Sequence, residues 1–253
     1  NPYIPIIDTH YQALTKLLKV LLFSGQHCYI ADLCLDSFLQ NIEYNVRRAV
    51  ILELNVKRVL GSLGNGSEAE QFKNFKDFFC RAENRLDFYQ KYPLLSKYIS
   101  ITCKNWLLAS KELIERLVCD WDLMVSTLNI PSTAKLSSIE SGGDTHNGGR
   151  TVNILTFDGK YKVIYKPRSV RLEKEFFDYI GKLNKSNKLS LRFHTLIVID
   201  RGKYGWVEFC SYEAAETRDE VRDFYYRIGA LSAIVFALHG VDIFFENLVA
   251  HRD

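Results

Sequence analysis

The chain has 253 residues, of which 47% are hydrophobic and 25% are charged, and its net charge at pH 7 is +3. These values are typical of a globular protein that buries a core, and they exclude a disordered tail, a collagen-like fibre and a polybasic nucleic-acid-binding arm. No apolar run of about 18 residues and no signal peptide is visible. We therefore predict a cytoplasmic protein with no membrane span and no nucleic-acid partner.

Apolar side chains recur with a period near 3.6 along residues 1–130, which predicts a helical subdomain. The segment Gly61–Ser67 predicts a loop within it. The aromatic stretch Phe72–Phe88 predicts further helix, which Pro93 interrupts, and Trp106–Trp121 predicts another amphipathic helix. We interpret these aromatic side chains as core packing.

The cysteines and histidines give no metal-binding pattern. The six cysteines form no Cys-x-x-Cys pair, and the six histidines form no His-Glu-x-x-His motif. We therefore expect free thiols in a reducing compartment and no zinc site in this segment.

The composition changes at Pro131, which predicts a second region over residues 131–253. A strand is expected first, followed by a glycine-rich loop, Gly142–Arg150. Two β-rich runs, Val152–Phe157 and Lys160–Tyr165, are joined by Asp158-Gly159, a strong hairpin signal.

A helix over Val170–Leu183 and two strands, Thr195–Asp200 and Trp206–Cys210, follow in our prediction. A capping-box pattern, Thr217–Glu220, predicts the start of a long helix that ends at Gly240. The side chains predicted to form the buried stripe of that helix are Val221, Phe224, Ile228, Leu231, Val235 and Leu238.

This order of parts is the order found in protein-kinase-like folds. Glycines let backbone N–H groups approach phosphate oxygens, and a lysine at a strand end, Lys166, can hold a phosphate as a point charge. The loop Asp242–Asn247 precedes a predicted short strand, Leu248–Ala250. In such a loop the Asp orients the attacking hydroxyl and the Asn binds Mg²⁺. Each part could also be an ordinary turn or a solvated side chain.

Six basic residues and one acid occupy the run Lys160–Lys174. This charge predicts either an electropositive phosphate site, with Lys166 and Arg168, or a solvated basic face. The helical carboxylate that would pair with Lys166 is Glu173 or Glu175, and the sequence leaves both open.

Asp144 and His146 lie within the glycine segment. A carboxylate and an imidazole there can form a proton-transfer pair close to a phosphate. Alternatively, Asp144 hydrogen-bonds within the loop and His146 is solvated.

The segments Gly143–Arg150, Tyr165–Arg168 and Asp242–Asn247, in this order, resemble the dehydratase domain of class II (LanM-type) lanthipeptide synthetases. Tyr204–Phe209 resembles the family's segment at the edge of the nucleotide site. The resemblance covers residues 80–253. It implies an α+β fold, in which a helical subdomain precedes a protein/lipid-kinase-like N-lobe, made of an antiparallel sheet and helices, and the start of the catalytic lobe.

The resemblance also implies a two-step reaction on a precursor peptide with leader and core. ATP and Mg²⁺ serve phosphorylation of Ser or Thr, and elimination of the phosphate leaves dehydroalanine or dehydrobutyrine. By the same resemblance, Asp242 and Asn247 serve phosphorylation, whereas Asp144, His146 and Lys166 serve elimination. The residues assigned to nucleotide binding are Lys166, Arg168, Glu173, Glu208, Phe209 and Cys210.

Two departures from the family pattern matter. The catalytic loop has Phe244 where the family has His, and an apolar ring cannot do the polar work of that histidine. This favours an alternative, a degenerate kinase-like module that binds peptide or nucleotide without catalysis. The family's Asp-x-Glu motif would lie beyond Asp253, as would a zinc-dependent cyclase domain, so we expect a segment truncated at both ends. A plain helical scaffold is the third alternative, and the ordered motifs argue against it.

Overall fold

The computed structural model describes residues 4–21, 27–146, 148–186, 192–241, 243–244 and 248–252. The chain divides into two compact units. The first comprises Asn1–Asp122 and Lys135–Val152, and the second comprises Leu123–Ala134 and Asn153–Asp253. Among the helices of the described residues, none has the length and apolar character needed to cross a bilayer.

Within the described residues, five helices occupy the first half of the chain, as the periodicity predicts. They are α1 (Ile4–Leu21), α2 (His27–Val59), α3 (Glu68–Cys80), α4 (Ala82–Lys91) and α5 (Pro93–Leu128). The predicted loop Gly61–Ser67 lies between α2 and α3, and Ser67 caps α3. The aromatic stretch Phe72–Phe88 is divided at Arg81, whose extended backbone ends α3 and begins α4. Pro93 opens α5, where its missing N–H costs no helical hydrogen bond.

The first unit has an aromatic core, as the sequence predicts. The indole of Trp106 on α5 stacks on Phe38 of α2, with ring centroids 4.8 Å apart. Its Nε1 donates to the carbonyl of Cys34 at 2.9 Å, so α5 is held to α2 by both packing and a buried hydrogen bond. A second buried cluster joins the end of α2 with α3 and α4: Leu63, Phe75, Phe79 and Phe88.

Five described strands form a sheet in the order β1-β2-β3-β5-β4. They are β1 (Leu136–His146), β2 (Arg150–Phe157), β3 (Tyr161–Lys166), β4 (Val198–Asp200) and β5 (Gly205–Glu208). The predicted hairpin is confirmed: β2 and β3 are antiparallel, and Asp158 and Gly159 both have positive φ at the turn between them. The predicted α+β fold, with helices before an antiparallel sheet, is therefore confirmed.

The glycine segment forms less loop than predicted. β1 continues through Gly142 and Gly143 to His146, so only the short turn before Arg150 interrupts the strands. The hydroxyl of Thr151 on β2 donates to the carbonyl of Gly142 at 2.9 Å. Glycine can take part in strand pairing because pairing uses backbone groups. Gly142 and Gly143 are tolerated here because β1 is an edge strand of the described sheet.

The predicted strands near residue 200 are also shorter. β4 begins only at Val198. At Ile197 the carbonyl still accepts from the Glu208 N–H at 2.9 Å, whereas the N–H of Ile197 donates to the Glu208 carboxylate, also at 2.9 Å. β5 ends at Glu208, so Phe209 and Cys210 follow it. The predicted strand Leu248–Ala250 is wrong. These residues have no strand conformation, and the neighbouring His251 forms only an isolated bridge with Glu213.

Two helices complete the second unit, α6 (Arg171–Lys185) and α7 (Arg218–Ala237). The predicted capping box is confirmed, because Thr217 Oγ1 accepts from the Glu220 N–H and the Glu220 carboxylate accepts from the Thr217 N–H. α7 ends with His239 in the left-handed region, φ 55°, and the Gly240 N–H donates to the Val235 carbonyl at 2.8 Å. The predicted stripe is only half-buried. Phe224, Ile228, Leu231 and Val235 are half-buried, whereas Val221 and Leu238 are exposed, and no residue of α7 is fully buried. Periodicity identifies the apolar face of a helix. It does not show how completely other parts of the protein pack on that face.

Candidate functional site

A cluster of two cations and one carboxylate forms where β3 ends and α6 begins. Lys166 is the last residue of β3, and Glu173 lies in the first turn of α6. Lys166 Nζ is 3.4 Å from Glu173 Oε1, and Arg168 Nη2 is 2.7 Å from the same oxygen. Glu175 instead lies 3.9 Å from Arg171 in an exposed pair. Of the two carboxylates that the sequence leaves open, the structure therefore places Glu173 beside Lys166.

The electrostatics of this cluster leave one positive charge in excess. Burial alone would raise the pKa of Glu173, but the hydrogen bond from Arg168, a backbone hydrogen bond and the charges of Arg168 and Lys166 outweigh burial and lower that pKa. The carboxylate is therefore ionised at neutral pH. It balances one of its two cationic partners, and the remaining charge suits an anionic ligand.

The second oxygen of Glu173 has a different environment. Oε2 is buried and has no hydrogen-bond partner within the described residues. A buried acceptor without a partner is energetically unfavourable. This oxygen can accept a hydrogen bond or contact a cation without giving up an existing interaction.

Gly205 allows the close approach that builds this cluster. It pairs with Lys166 across β5 and β3. A Cβ at this position would collide with the side chain of Val170, just before α6, and would lie 2.7 Å from the carbonyl of Ile199. The absence of a side chain thus lets the start of α6 sit against the sheet next to Lys166. Gly205 belongs to the predicted segment Tyr204–Phe209, but sequence reasoning missed this packing role, because the contact with Val170 is not visible in the local sequence.

The residues predicted at the nucleotide edge lie at the other end of β5. Glu208 is opposite Val163, three residues from Lys166, which is roughly 10 Å along the strand. Its carboxylate accepts the Ile197 N–H, and the Phe209 ring lies under Lys162 Nζ at 5.1 Å. The structure thus does not bring these residues into the Lys166 cluster, and their nucleotide role stays a prediction.

Cys210, the third residue of this group, has a protonated thiol. Burial raises the pKa of Cys210, and the charges of Glu208 and Glu213 raise it further. The thiol therefore stays neutral near pH 7 and can contribute polarity to a site, but not negative charge.

The glycine segment belongs to the first unit and packs on α5. His146, the last residue of β1, is exposed, and the backbone of Asp144 lies within β1 while its side chain is outside the described part. Gly149 has φ 87°, and a Cβ there would lie 2.8 Å from the Cβ of Asn105. Gly149 is therefore needed for contact with a helix, a different reason from the phosphate approach that the sequence suggests.

Two predicted residues, Asp242 and Asn247, lie outside the described residues. Between them, the side chain of Phe244 is 63% exposed. Within the described part of the chain, no group of three or more His, Cys, Asp or Glu side chains is arranged to hold a metal ion. The magnesium role of Asn247 therefore stays a prediction.

Comparison with known proteins gives two findings. The model of a family described as a domain of unknown function, DUF4135, matches residues 92–253. The lacticin 481/lactococcin biosynthesis protein LcnDR2 of Lactococcus lactis subsp. lactis is 25% identical over 231 residues. The match covers 88% of this chain and 25% of that protein, so the chain spans about a quarter of its relative's length.

Proposed function

The chain belongs to the DUF4135 family, which is associated with LanM-type lanthipeptide synthetases, and from this premise we propose that it is part of a peptide dehydratase. The family recognised from the glycine, lysine and catalytic-loop motifs is thereby confirmed. The proposed substrate is a lanthipeptide precursor peptide in the cytoplasm. The similarity to a lacticin 481/lactococcin biosynthesis protein supports this class of substrate.

The first proposed step is phosphorylation of a Ser or Thr hydroxyl. ATP, held with Mg²⁺, supplies the γ-phosphoryl group. Asp242 orients the hydroxyl and accepts its proton as the oxygen–phosphorus bond forms. The bond from the γ-phosphorus to the bridging oxygen breaks, and ADP leaves with its electron pair. Asn247 would contribute to the metal site. Lys166 and Arg168 bind phosphate oxygens.

The second proposed step is elimination of that phosphate. Asp144 and His146 act as the acid–base pair that removes the Cα proton. The electron pair of the Cα–H bond becomes the Cα=Cβ bond, and the Cβ–O bond breaks. The phosphate leaves with the electron pair of that bond, and Lys166 stabilises its charge.

The observation that carries the proposal is the position of Lys166. Its ammonium lies at the end of a rigid strand. It is beside the helical carboxylate of Glu173, which is closer to Arg168 than to Lys166. A strand lysine paired with a helical glutamate is the arrangement that phosphoryl-transfer folds of the kinase type need. The surplus positive charge of the cluster suits the phosphates of ATP, and the buried Oε2 of Glu173 can accept a ligand hydroxyl.

The test uses the full-length protein with its precursor peptide, ATP and Mg²⁺, and mass spectrometry of the products. We expect the wild type to give dehydrated peptide and Lys166→Ala to accumulate phosphopeptide. The matched control is Lys160→Ala, since Lys160 lies at the hairpin turn over the Tyr161 ring. Unchanged dehydration by Lys166→Ala would contradict the role given to Lys166 in elimination. Peptide left untouched by Lys166→Ala would contradict that role too, and would assign the lysine to phosphorylation alone.

A second candidate function is a non-catalytic binding module, and Phe244 favours it. An exposed phenyl ring at this position of the loop offers no acid, base or metal ligand. Calorimetry with ATP and Mg²⁺ distinguishes the two functions, because binding without turnover supports the module. Phosphorylation by the wild type argues against the binding module. If only Phe244→His phosphorylates the peptide, the natural sequence is a binding module.

A further inference from the structure

The glycine turn is tied to helix α5 by an ion pair between residues far apart in sequence. Arg150, the first residue of β2, donates to Glu112 Oε2 from Nε at 2.8 Å and from Nη2 at 2.6 Å. The other oxygen of Glu112 pairs with Arg116 one turn along α5. The Glu112 side chain is only 22% exposed, so these contacts are partly shielded from water.

The same turn also packs against α5. The left-handed backbone of Gly149 lies against Asn105, which precedes Trp106, the residue that fixes α5 to α2. The turn therefore contacts α5 at two places, about two helical turns apart, and α5 itself is anchored in the core. A loop held at two points by a rigid element has a defined backbone direction.

We propose that Glu112 is a positioning residue that fixes this turn, through Arg150, in the conformation used for phosphate elimination. The described part of the turn begins at Gly148, two residues after His146 ends β1, so the backbone at the end of β1 depends on how the turn is held. All of these residues belong to the first unit. The proposal rests on the proposed function for the reaction that is positioned, whereas the contact itself can be measured without it.

The experiment compares Glu112→Gln with Glu115→Gln in the full-length protein. Gln keeps the size of Glu112 and removes the charge that holds two arginines. Glu115 lies on the same helix and pairs with Lys111 at 3.5 Å in an exposed contact, so it is the matched control. Arg150→Gln removes the other end of the pair without changing α5, and it serves if Glu112→Gln does not fold.

Two readouts are taken. Hydrogen exchange of the backbone amides of residues 148–151 should rise about tenfold in Glu112→Gln and Arg150→Gln and stay at the wild-type rate in Glu115→Gln. In assays with precursor peptide at saturating ATP, the ratio of phosphopeptide to dehydrated peptide should rise in the same two variants. A residue that only stabilises the fold would lower both products together and leave this ratio unchanged.

The outcomes separate the two proposals. Equal exchange in all variants, or an unchanged product ratio with an active wild type, overturns the positioning role. A wild type that leaves the peptide unmodified contradicts the proposed function. The exchange rates then still test the contact between Glu112 and Arg150. Exchange that is faster in Glu112→Gln than in Glu115→Gln supports the contact, and equal rates overturn it.

Discussion

Arg168 and Glu173 form the shortest ion pair of the Lys166 cluster, with 2.7 Å between guanidinium Nη2 and carboxylate Oε1. Lys166 lies 3.4 Å from that oxygen and is the looser partner. The carboxylate thus neutralises Arg168 more than Lys166. In the proposed reaction, this leaves the lysine ammonium available to a phosphate.

The first prediction concerns Arg168→Gln. Without the guanidinium, the proposed phosphate contact of Arg168 is lost. Lys166 is also drawn towards Glu173, because among the described residues no other cation pairs with that carboxylate. We expect the KM for ATP to rise about tenfold, which corresponds to about 1.4 kcal/mol of binding. Steady-state kinetics of the full-length protein measure it. Arg171→Gln is the control, because Arg171 is exposed and lies 3.9 Å from Glu175. An equal KM in the two variants would refute the idea that Arg168 keeps Glu173 from binding Lys166.

The second prediction concerns the pH dependence of stability. The pKa of Glu173 is lowered on folding, so its ion pairs stabilise the protein above the unfolded-state pKa, about 4.3, and are lost as the pH falls through the lowered value. Glu173→Gln should therefore cost about 1–3 kcal/mol at pH 7, and the difference from wild type should shrink below about pH 4. Urea unfolding over this range measures it. Glu175→Gln should match the wild type throughout, and a Glu173→Gln deficit that persists at low pH would contradict the account.

The elements that sequence reasoning predicted well are those with local signals. The turn at Asp158-Gly159 and the capping box at Thr217 depend on residues within three or four positions, and both form as predicted. Lys166 and its carboxylate partner could also be predicted, because Glu173 follows Lys166 by only seven positions. Even there, only the structure distinguishes Glu173 from Glu175, because both lie in the first two turns of α6.

The parts that the sequence could not predict depend on contacts between distant residues. Glu112 and Arg150 are separated by 38 positions, and neither lies in a pattern that indicates the other. Gly149 belongs to a glycine segment typical of phosphate loops, yet its contact with Asn105 gives it a packing role. A glycine-rich pattern shows that a side chain is excluded, and only the fold shows what excludes it.

The third prediction concerns the carboxylate of Glu53, which joins α2 to the end of α4. Glu53 Oε2 accepts from Lys91 Nζ at 2.7 Å and from the Tyr92 hydroxyl at 3.0 Å, and its side chain is 9% exposed. Glu53→Gln should lower the free energy of unfolding by about 1–2 kcal/mol, because it removes the charged acceptor of both hydrogen bonds while Lys91 stays half exposed to water. Glu43→Gln, which breaks an exposed pair with Arg47, should cost under about 0.5 kcal/mol. Chemical denaturation of both variants measures it, and equal losses would contradict the assignment.

The ion pair between Glu53 and Lys91 stabilises the protein only up to an alkaline pH limit. The hydrogen bond from Lys91 to Glu53 raises the pKa of Lys91, which partial desolvation opposes. The stabilisation is therefore fully present below the unfolded-state pKa of Lys, about 10.4, and is lost as the pH rises through the raised value. The deficit of Glu53→Gln relative to wild type should be constant from pH 7 to about pH 10. It should shrink above that, as Lys91 and Tyr92, whose pKa is raised by burial and by its hydrogen bond to Glu53, lose their protons. A deficit that already shrinks near pH 8 would exclude Lys91 as its source.

The last prediction uses two glycines to separate backbone strain from contact with α5. Gly149 and Gly159 both have positive φ, 87° and 65°, but of the two only Gly149 has a neighbour within 4 Å of the place that a Cβ would occupy, the Asn105 Cβ at 2.8 Å. Gly159→Ala should cost about 1 kcal/mol, the penalty of an L-residue in the left-handed region. Gly149→Ala should cost about 1–3 kcal/mol more, since the turn must move away from α5. Urea unfolding compares the variants, and amide exchange at residues 148–151 should rise only in Gly149→Ala. Equal costs would show that the turn moves freely and that its contact with α5 is weak.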